Sequence, residues 1–198
     1  MVHELPVQFA GVRGNAVLLA QKFLGEILRE GSVAVDATAG NGKDTLFLAG
    51  AVGNSGKVYA FDIQREALES TAILLKESGL DQRVELIHAG HEHMERYINR
   101  PVDGFIFNLG YLPGGDHGIT TRPETTLQAV NAAFNLLKPG GRISMVVYTG
   151  HRGAGEESRA VEQMAAGLNP KLFGALKVSF LNRPASAPYL VLIERVKQ

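Results

Sequence analysis

Short apolar runs alternate with amphipathic stretches along almost the whole chain. Apolar residues at helical spacing begin at Ala16 and reach Leu28, and the same period predicts further helices over 43–51, 65–78, 92–98, 124–137 and 156–167. Apolar runs of strand length lie between them, at 33–37, 57–62, 84–88, 102–108 and 142–148. Two last runs, 174–181 and 188–195, flank a turn-rich segment and predict an antiparallel hairpin.

The order of these elements predicts the fold class. Strands that alternate with helices indicate a parallel sheet covered on both faces, and the final hairpin adds a reversed strand. We therefore expect an α/β fold, built on a seven-stranded, mostly parallel, doubly wound sheet with a C-terminal antiparallel hairpin. A length of 198 residues suits a single domain over 1–198.

Composition narrows the class of protein. Apolar residues make up 45% of the chain and charged residues 20%, as in ordinary globular proteins. The chain has no cysteine, which excludes disulfides and thiolate metal sites. It shows no N-terminal targeting signal and no apolar run of about 18 residues, so we expect a cytoplasmic protein without a membrane span.

The distribution of charge leaves the nature of the partner open. The formal net charge is zero, which argues weakly against nucleic-acid binding. However, residues 1–115 hold 10 Lys and Arg against 14 Asp and Glu, whereas residues 116–198 hold 10 against 6. The C-terminal part could therefore present a basic face, or these charges could be solvated without any binding role.

A strand, a glycine turn and a helix follow one another between Val33 and Ala51, which is the pattern of a nucleotide-binding unit. Gly40 and Gly42 permit a sharp turn, and Asp62 ends the next strand at the spacing of a ribose-binding acid. The turn opens on the acidic Asp36 and lacks the phosphate-binding G-x-G-x-x-G pattern. A carboxylate there disfavours a pyrophosphate and favours a cationic amino-acid group, as in S-adenosylmethionine. A Rossmann-like turn for NAD, or for no ligand, remains the alternative.

The end of the fourth strand carries the second group of candidate residues. Asn108 and Tyr111 lie where the loop after this strand faces the ligand edge of an open sheet. The segment resembles the Asn-Pro-Pro-Tyr motif of amino-group methyltransferases, although Leu109 and Gly110 replace the two prolines. The alternative is that Asn108 caps the strand and Tyr111 belongs to the core.

Three segments together resemble one family. They are Asp36-Ala-Thr-Ala-Gly-Asn-Gly42, Asn108-Leu-Gly-Tyr-Leu-Pro-Gly-Gly-Asp116 and Tyr148-Thr-Gly-His-Arg-Gly-Ala-Gly155. Residues 5–196 are similar to the YtqB-like bacterial family, formerly described as rRNA methylases and now understood as the tRNA wobble-uridine methyltransferases MnmM. The resemblance implies a Rossmann-like class I methyltransferase fold and S-adenosyl-L-methionine as the cofactor. It also implies methylation of the amine of 5-aminomethyl-2-thiouridine in the tRNA anticodon stem-loop, giving 5-methylaminomethyl-2-thiouridine.

The resemblance and the predicted topology together give a set of expected site residues. For cofactor binding we expect Asn15, Asp36, Thr38, Gly40, Asn41, Gly42, Asp44, Asp62, Ile63, Gln64, Gly90, His91 and Asn108. For catalysis we expect Asn108 and the Leu109 carbonyl to hold the amine, Tyr111 to stack on the base, and Asp116 or His117 to take the proton unless solvent does. For RNA binding we expect Tyr111, Arg122, His151 and Arg152. Alternatively, Asn15 could serve only as the N-cap of the first helix, and Asp44 could serve only to stabilise the dipole of the helix after the glycine turn.

Other functions compete with this one. The three histidines His88, His91 and His93 could indicate a metal site. We reject this interpretation because no fourth ligand is evident nearby. An rRNA methyltransferase, a small-molecule amine methyltransferase and a non-catalytic binding module remain alternatives. An RNA enzyme should lose substrate affinity steeply as salt rises, whereas a small-molecule enzyme should not. Since no extra RNA-binding domain is predicted, a homodimer could enlarge the RNA-binding surface.

Overall fold

The computed structural model describes residues 15–116, 118–150 and 153–197. Its helices are α1 (Ala16–Gly25), α2 (Lys43–Ala51), α3 (Arg65–Glu77), α4 (Pro123–Leu136) and α5 (Ala154–Ala166). Its strands are β1 (Val33–Asp36), β2 (Lys57–Asp62), β3 (Val84–His88), β4 (Val102–Leu109), β5 (Leu137–Val147), β6 (Phe173–Val178) and β7 (Tyr189–Arg195). Two short 3₁₀ turns, Asp81–Arg83 and His91–Arg96, complete the regular structure.

The seven strands of the described residues form one sheet in the order β3-β2-β1-β4-β5-β7-β6. The first five strands are parallel, and β7 runs antiparallel between β5 and β6. The fold class predicted from the sequence is therefore confirmed. The chain changes direction across the sheet between β1 and β4, which pair directly. Open sheets of this kind bind ligands in the crevice at the carboxyl ends of the strands at that point.

The central strands are buried on both faces, as expected for a parallel sheet with helices on either side. Phe105 and Phe107 of β4 pack in the core that includes residues of α4, whereas Ile106 faces the other core, which includes residues of α1 and α2. This alternation follows the two-residue period of a strand.

The structure differs from the predicted elements mainly at one strand. We expected residues 138–141 to stop the preceding helix and the strand to begin at 142, but β5 begins at Leu137. Leu137 leaves the helix in an extended conformation and pairs with Val102, and a register shift before Gly104 absorbs the turn-like residues. The first helix also ends earlier than predicted, at Gly25. Within the described ranges, no helix is long and apolar enough to cross a membrane.

Candidate active site

A cleft of about 880 Å³ opens at the carboxyl edge of the sheet, above β1 and β4. It lies where the topology places a ligand site, and most of the residues predicted from the sequence line it. They are Asn15, Thr38, Gly40, Asn41, Asp44, Asp62, Ile63, Gln64, Gly90, His91, Asn108, Tyr111 and Arg122. Four others, Asp36, Gly42, Leu109 and Asp116, are not among the lining residues. His117, His151 and Arg152 lie outside the described residues.

The glycine turn depends on left-handed backbone conformations. Gly40 and Gly42 have φ angles of +52° and +78°, which side-chain-bearing residues rarely adopt. A Cβ atom on Gly42 would lie only 2.8 Å from Oγ1 of Thr71, a buried residue of α3. The Thr71 hydroxyl donates to the Gly40 carbonyl at 3.0 Å. The turn is therefore packed closely on α3, which leaves its other side open to the cleft.

Asp36 lies beneath the turn and is fully buried. One carboxylate oxygen accepts from the Thr38 N–H at 3.1 Å and the other from the Thr45 hydroxyl at 2.6 Å. Burial, reinforced by the neighbouring Asp44 carboxylate, raises the pKa of Asp36 to about 7. We expected this carboxylate to contact the cofactor, but it does not line the cleft. Its hydrogen bonds instead connect β1 to the turn and to α2.

Asp62 lies at the end of β2 and lines the cleft. One of its carboxylate oxygens accepts from the Gly40 N–H at 2.9 Å, and the other accepts from the Gln64 N–H at 2.9 Å. The two bonds fix the carboxylate beside the glycine turn. Each oxygen retains further acceptor capacity for ligand hydroxyl groups, since an ionised carboxylate offers about four lone-pair positions.

A hydrogen-bonded chain of three side chains crosses the floor of the cleft. Asp44 accepts from Nε2 of Gln21 at 2.6 Å and from Nδ2 of Asn108 at 2.7 Å. The Asn108 backbone N–H donates to the Thr38 hydroxyl at 2.8 Å. Because the Asp44 carboxylate can only accept, the Asn108 amide nitrogen must face it.

This arrangement leaves the side-chain oxygen of Asn108 buried without a hydrogen-bond partner among the described residues. Buried amide oxygens nearly always have a donor, so this oxygen, in a residue that lines the cleft, is a candidate acceptor for a ligand N–H or O–H. A primary amine supplies such an N–H.

The prediction for Leu109 is not supported by the geometry. Its carbonyl oxygen, which we expected to hold the amine, accepts from the Tyr148 N–H at 3.0 Å as part of the sheet. Its side chain is fully buried. The prolines of the motif that this segment resembles are absent, so the ladder between β4 and β5 continues to Leu109. Asp116, a candidate base, is exposed in the loop and accepts from the Gly118 N–H at 2.7 Å.

The loop after β4 is attached to the glycine turn. Nδ2 of Asn41 donates to the Pro113 carbonyl at 3.2 Å, and the loop closes on itself through a bridge between Tyr111 and Thr120. Tyr111, at 38% exposure, belongs to the wall of the cleft rather than to the core. The alternative reading of Tyr111 as a core residue is therefore wrong.

His91 forms another part of the cleft wall. Nδ1 contacts the Ala37 carbonyl at 3.1 Å, and the ring meets Phe107 edge to face. A carbonyl can only accept, so Nδ1 carries the proton. Burial lowers the pKa of His91, which keeps the ring neutral. His88 instead contacts the Ile63 carbonyl, and within the described ranges no group of three potential ligands could hold a metal ion.

The sequence did not single out three residues that the structure places at the site. Gln21 supports Asp44, and Tyr148 lines the cleft beside Gly110. Glu157 of α5 is 1% exposed, and its two oxygens accept from the hydroxyls of Thr121 and Thr126 at 2.7 and 2.6 Å. A glutamate in an amphipathic helix normally faces solvent. The sequence therefore gives no local signal that Glu157 is buried and bonded to distant threonines.

Comparison with known proteins identifies the family. Residues 58–194 match the family model described as "Putative rRNA methylase". The chain is 42% identical over 191 residues to the protein named "tRNA (mnm(5)s(2)U34)-methyltransferase, chloroplastic" from Arabidopsis thaliana, covering 91% of the chain and 69% of that protein. The chain belongs to this methyltransferase family.

Solved structures agree with the assignment to this family. A "putative rRNA-methylase" from Clostridium thermocellum has a TM-score of 0.90 and 43% identity, over 92% of this chain and 98% of that one. A "putative methyltransferase" from Streptococcus mutans, solved in complex with SAH, has a TM-score of 0.84 and 37% identity, over 91% and 98%. The methyltransferase fold predicted from the sequence motifs is thus confirmed.

Proposed function

We propose that this chain transfers the methyl group of S-adenosyl-L-methionine to the primary amine of 5-aminomethyl-2-thiouridine at the tRNA wobble position. The product is 5-methylaminomethyl-2-thiouridine. The unpartnered, buried oxygen of Asn108 supports an amine as the acceptor group. The name of the Arabidopsis relative supports the wobble uridine of tRNA as its carrier.

The residues of the cleft fit the proposed cofactor. Asp44 and Asp62 make this region acidic, which disfavours a phosphate-bearing nucleotide and suits the amino-acid and ribose groups of S-adenosylmethionine. Asp62 would accept from the ribose hydroxyls, and His91 would flank the adenine. Gly40 brings the backbone close to the ligand without a side chain in the way. The S. mutans relative, at 37% identity, was solved with SAH, the product of this cofactor.

The reaction requires alignment more than acid–base chemistry. When bound, the cofactor supplies an electrophilic methyl group, and the amine nitrogen forms the new N–C bond as the S–C bond breaks. Asn108 would accept an N–H of the amine and so hold the amine nitrogen in the cleft. Asp44 holds the Asn108 amide in the orientation that presents its oxygen. Such positioning of two reactants is worth several orders of magnitude in rate.

The proton lost from nitrogen does not require a buried base. Asp116 is exposed, so an acceptor in the loop after β4 would be solvent or a group in contact with solvent. The buried carboxylates Asp36 and Glu157 already accept two hydrogen bonds each and do not line the cleft. We therefore assign them to positioning rather than to proton transfer.

Tyr111 and Arg122 lie at the mouth of the cleft and suit an RNA loop. Unpaired bases are commonly recognised by stacking on aromatic rings, which is the role we assign to Tyr111. Arg122 is exposed and can meet a phosphate. A cytoplasmic location, a homodimer and roles for His117, His151 and Arg152 in this reaction stay predictions.

Nucleoside mass spectrometry tests the proposal directly. The purified protein is incubated with S-adenosylmethionine and tRNA carrying 5-aminomethyl-2-thiouridine, and the RNA is then digested. We expect one added methyl group on that nucleoside, and none on tRNA that lacks the aminomethyl group. The same assay with rRNA addresses the second candidate, which the description of the family model favours. Methylation of rRNA or of free amines, with tRNA unchanged, would overturn the tRNA assignment.

A further inference from the structure

A second, smaller depression of about 340 Å³ opens beside the cleft. It lies between the start of α1 and the segment that joins β6 to β7. Asn15, Val17 and Tyr148 line both spaces, so the two are contiguous, with these residues as the shared wall. Phe180 and Arg183 line only the smaller one. The residues assigned above to the cofactor and the amine lie elsewhere, apart from Asn15.

The lining of this depression combines two features that nucleic-acid sites share. Phe180 and Pro188 give it apolar surfaces, while Arg183 is the one fully charged side chain among the described residues that line it. Aromatic rings stack on unpaired bases regardless of sequence, and arginine pairs with phosphate. The volume is in the range of small-ligand pockets.

We propose that this depression is a subsite for the nucleotide adjacent to the one that is methylated. Its base would pack against Phe180, and its phosphate would meet Arg183. This inference rests on the proposed function, since it needs an RNA substrate whose target base enters the larger cleft. Two neighbouring nucleotides of a single-stranded loop would then occupy the two contiguous spaces on either side of Tyr148. Loop bases are commonly splayed apart in this manner by proteins that recognise RNA.

Binding of RNA tests the subsite without requiring catalysis. The probe is a fluorescein-labelled anticodon-loop oligoribonucleotide, titrated with wild type, Phe180→Leu, Arg183→Gln and Arg100→Gln. Phe180→Leu keeps an apolar side chain in a partly buried position but removes the ring. Arg100 is exposed just before β4, at the opposite edge of the sheet, so its replacement removes an equal charge away from the subsite. Thermal melting confirms that each variant is folded.

The two substitutions should act in different ways. We expect Phe180→Leu to weaken binding about fivefold or more, as for the loss of one stacked base. The salt dependence should stay unchanged, because the substitution removes no charge that neutralises a phosphate. Arg183→Gln should weaken binding and also reduce the slope of log K against log salt by about 0.7, the value for one phosphate contact on a single strand. Arg100→Gln should resemble wild type. If Phe180→Leu and Arg183→Gln both bind the RNA with the same affinity as Arg100→Gln, the proposal is overturned.

Kinetics separate this inference from the proposed reaction. With the modified loop RNA, the two subsite variants should raise KM about fivefold and leave kcat unchanged. With the free nucleoside 5-aminomethyl-2-thiouridine, which has no neighbouring nucleotide, their kcat/KM should equal the wild-type value. A loss of the same size on the free nucleoside would overturn the subsite. The opposite outcome is also informative. If the wild-type protein binds RNA through Phe180 and Arg183 but transfers no methyl group, the proposed reaction is overturned and the subsite is not.

Discussion

The side-chain amide of Asn108 donates to the carboxylate of Asp44 at 2.7 Å. This contact joins the end of β4 to the first turn of α2, two elements that are distant in sequence and meet at the switch point of the sheet. It determines which end of the Asn108 amide faces Asp44 and leaves the oxygen without a partner among the described residues. In the proposed reaction, this oxygen would accept from an N–H of the substrate amine.

Replacement of Asn108 should separate cofactor binding from turnover. We expect Asn108→Ala to lower kcat at least about 100-fold, because the amine loses the group that aligns it, while the affinity for S-adenosylmethionine stays within a few-fold of wild type. Single-turnover methylation and isothermal titration calorimetry measure the two quantities. Gln21→Ala, which removes the other partner of Asp44, is the matched control and should have a smaller effect. Unchanged turnover in Asn108→Ala would contradict the assigned role.

Asp62 should contribute to cofactor affinity. We expect Asp62→Ala to weaken S-adenosylmethionine binding about tenfold or more, as for the loss of hydrogen bonds to a charged group. The affinity of Asp62→Asn for S-adenosylmethionine should lie between that of wild type and that of Asp62→Ala, because the asparagine amide retains one acceptor oxygen. Asp81→Ala, in an exposed turn away from the cleft, controls for the removal of an acidic side chain. Equal affinity of Asp62→Ala and wild type, measured by calorimetry, would refute the ribose assignment.

The predictable part of this molecule is the part governed by local pattern. Most strand positions and the C-terminal hairpin follow from short-range periodicity, and the glycine turn follows from its residues. The exception is β5, which begins at Leu137 and not at 142. Contact of Asp36 with the cofactor stays a prediction, because the sequence locates this residue at the ligand edge but does not show that Thr38 and Thr45 donate to its two carboxylate oxygens. The buried position of Glu157 could not be predicted from local pattern, because its partners, Thr121 and Thr126, are distant in sequence.

The raised pKa of Asp36 predicts a pH-dependent stability difference. The folded-state pKa is about 7 and the ordinary value is 3.8, so the folded state binds more protons between these values. Stability from this group is then fully present below about pH 4 and is lost as pH rises toward 7. The Asn side chain of Asp36→Asn stays neutral and can bond to both Thr38 and Thr45. The difference between its Tm and the wild-type Tm should therefore increase in favour of the variant as pH rises from 5 to 8. We expect a gain of several degrees, since about 1 kcal/mol shifts the Tm by roughly 2–4 °C at this size.

A comparison between variants is needed for this measurement because His91 acts in the opposite direction. Its pKa is lowered in the folded state, so its contribution to stability falls as pH drops below the ordinary value of 6.5. The term is common to wild type and Asp36→Asn and cancels in the difference between their melting temperatures. A difference that stays constant from pH 5 to 8 would show that Asp36 is ionised in the folded protein throughout this range.

Glu157 should affect the substrate loop rather than the cofactor. Its carboxylate holds Thr121, which lines the cleft, and Thr126 at the start of α4. We expect Glu157→Ala to raise KM for RNA and lower kcat together, with S-adenosylmethionine affinity unchanged, because the end of the loop loses its anchor. Glu157→Gln should restore most activity, since its amide still bonds to both hydroxyls. Thr121→Val should reproduce the kinetic loss, and the double variant should be no worse than Glu157→Ala if the two residues act as one contact. Additive losses in this double-mutant cycle would instead show that Glu157 acts on the core independently of the loop.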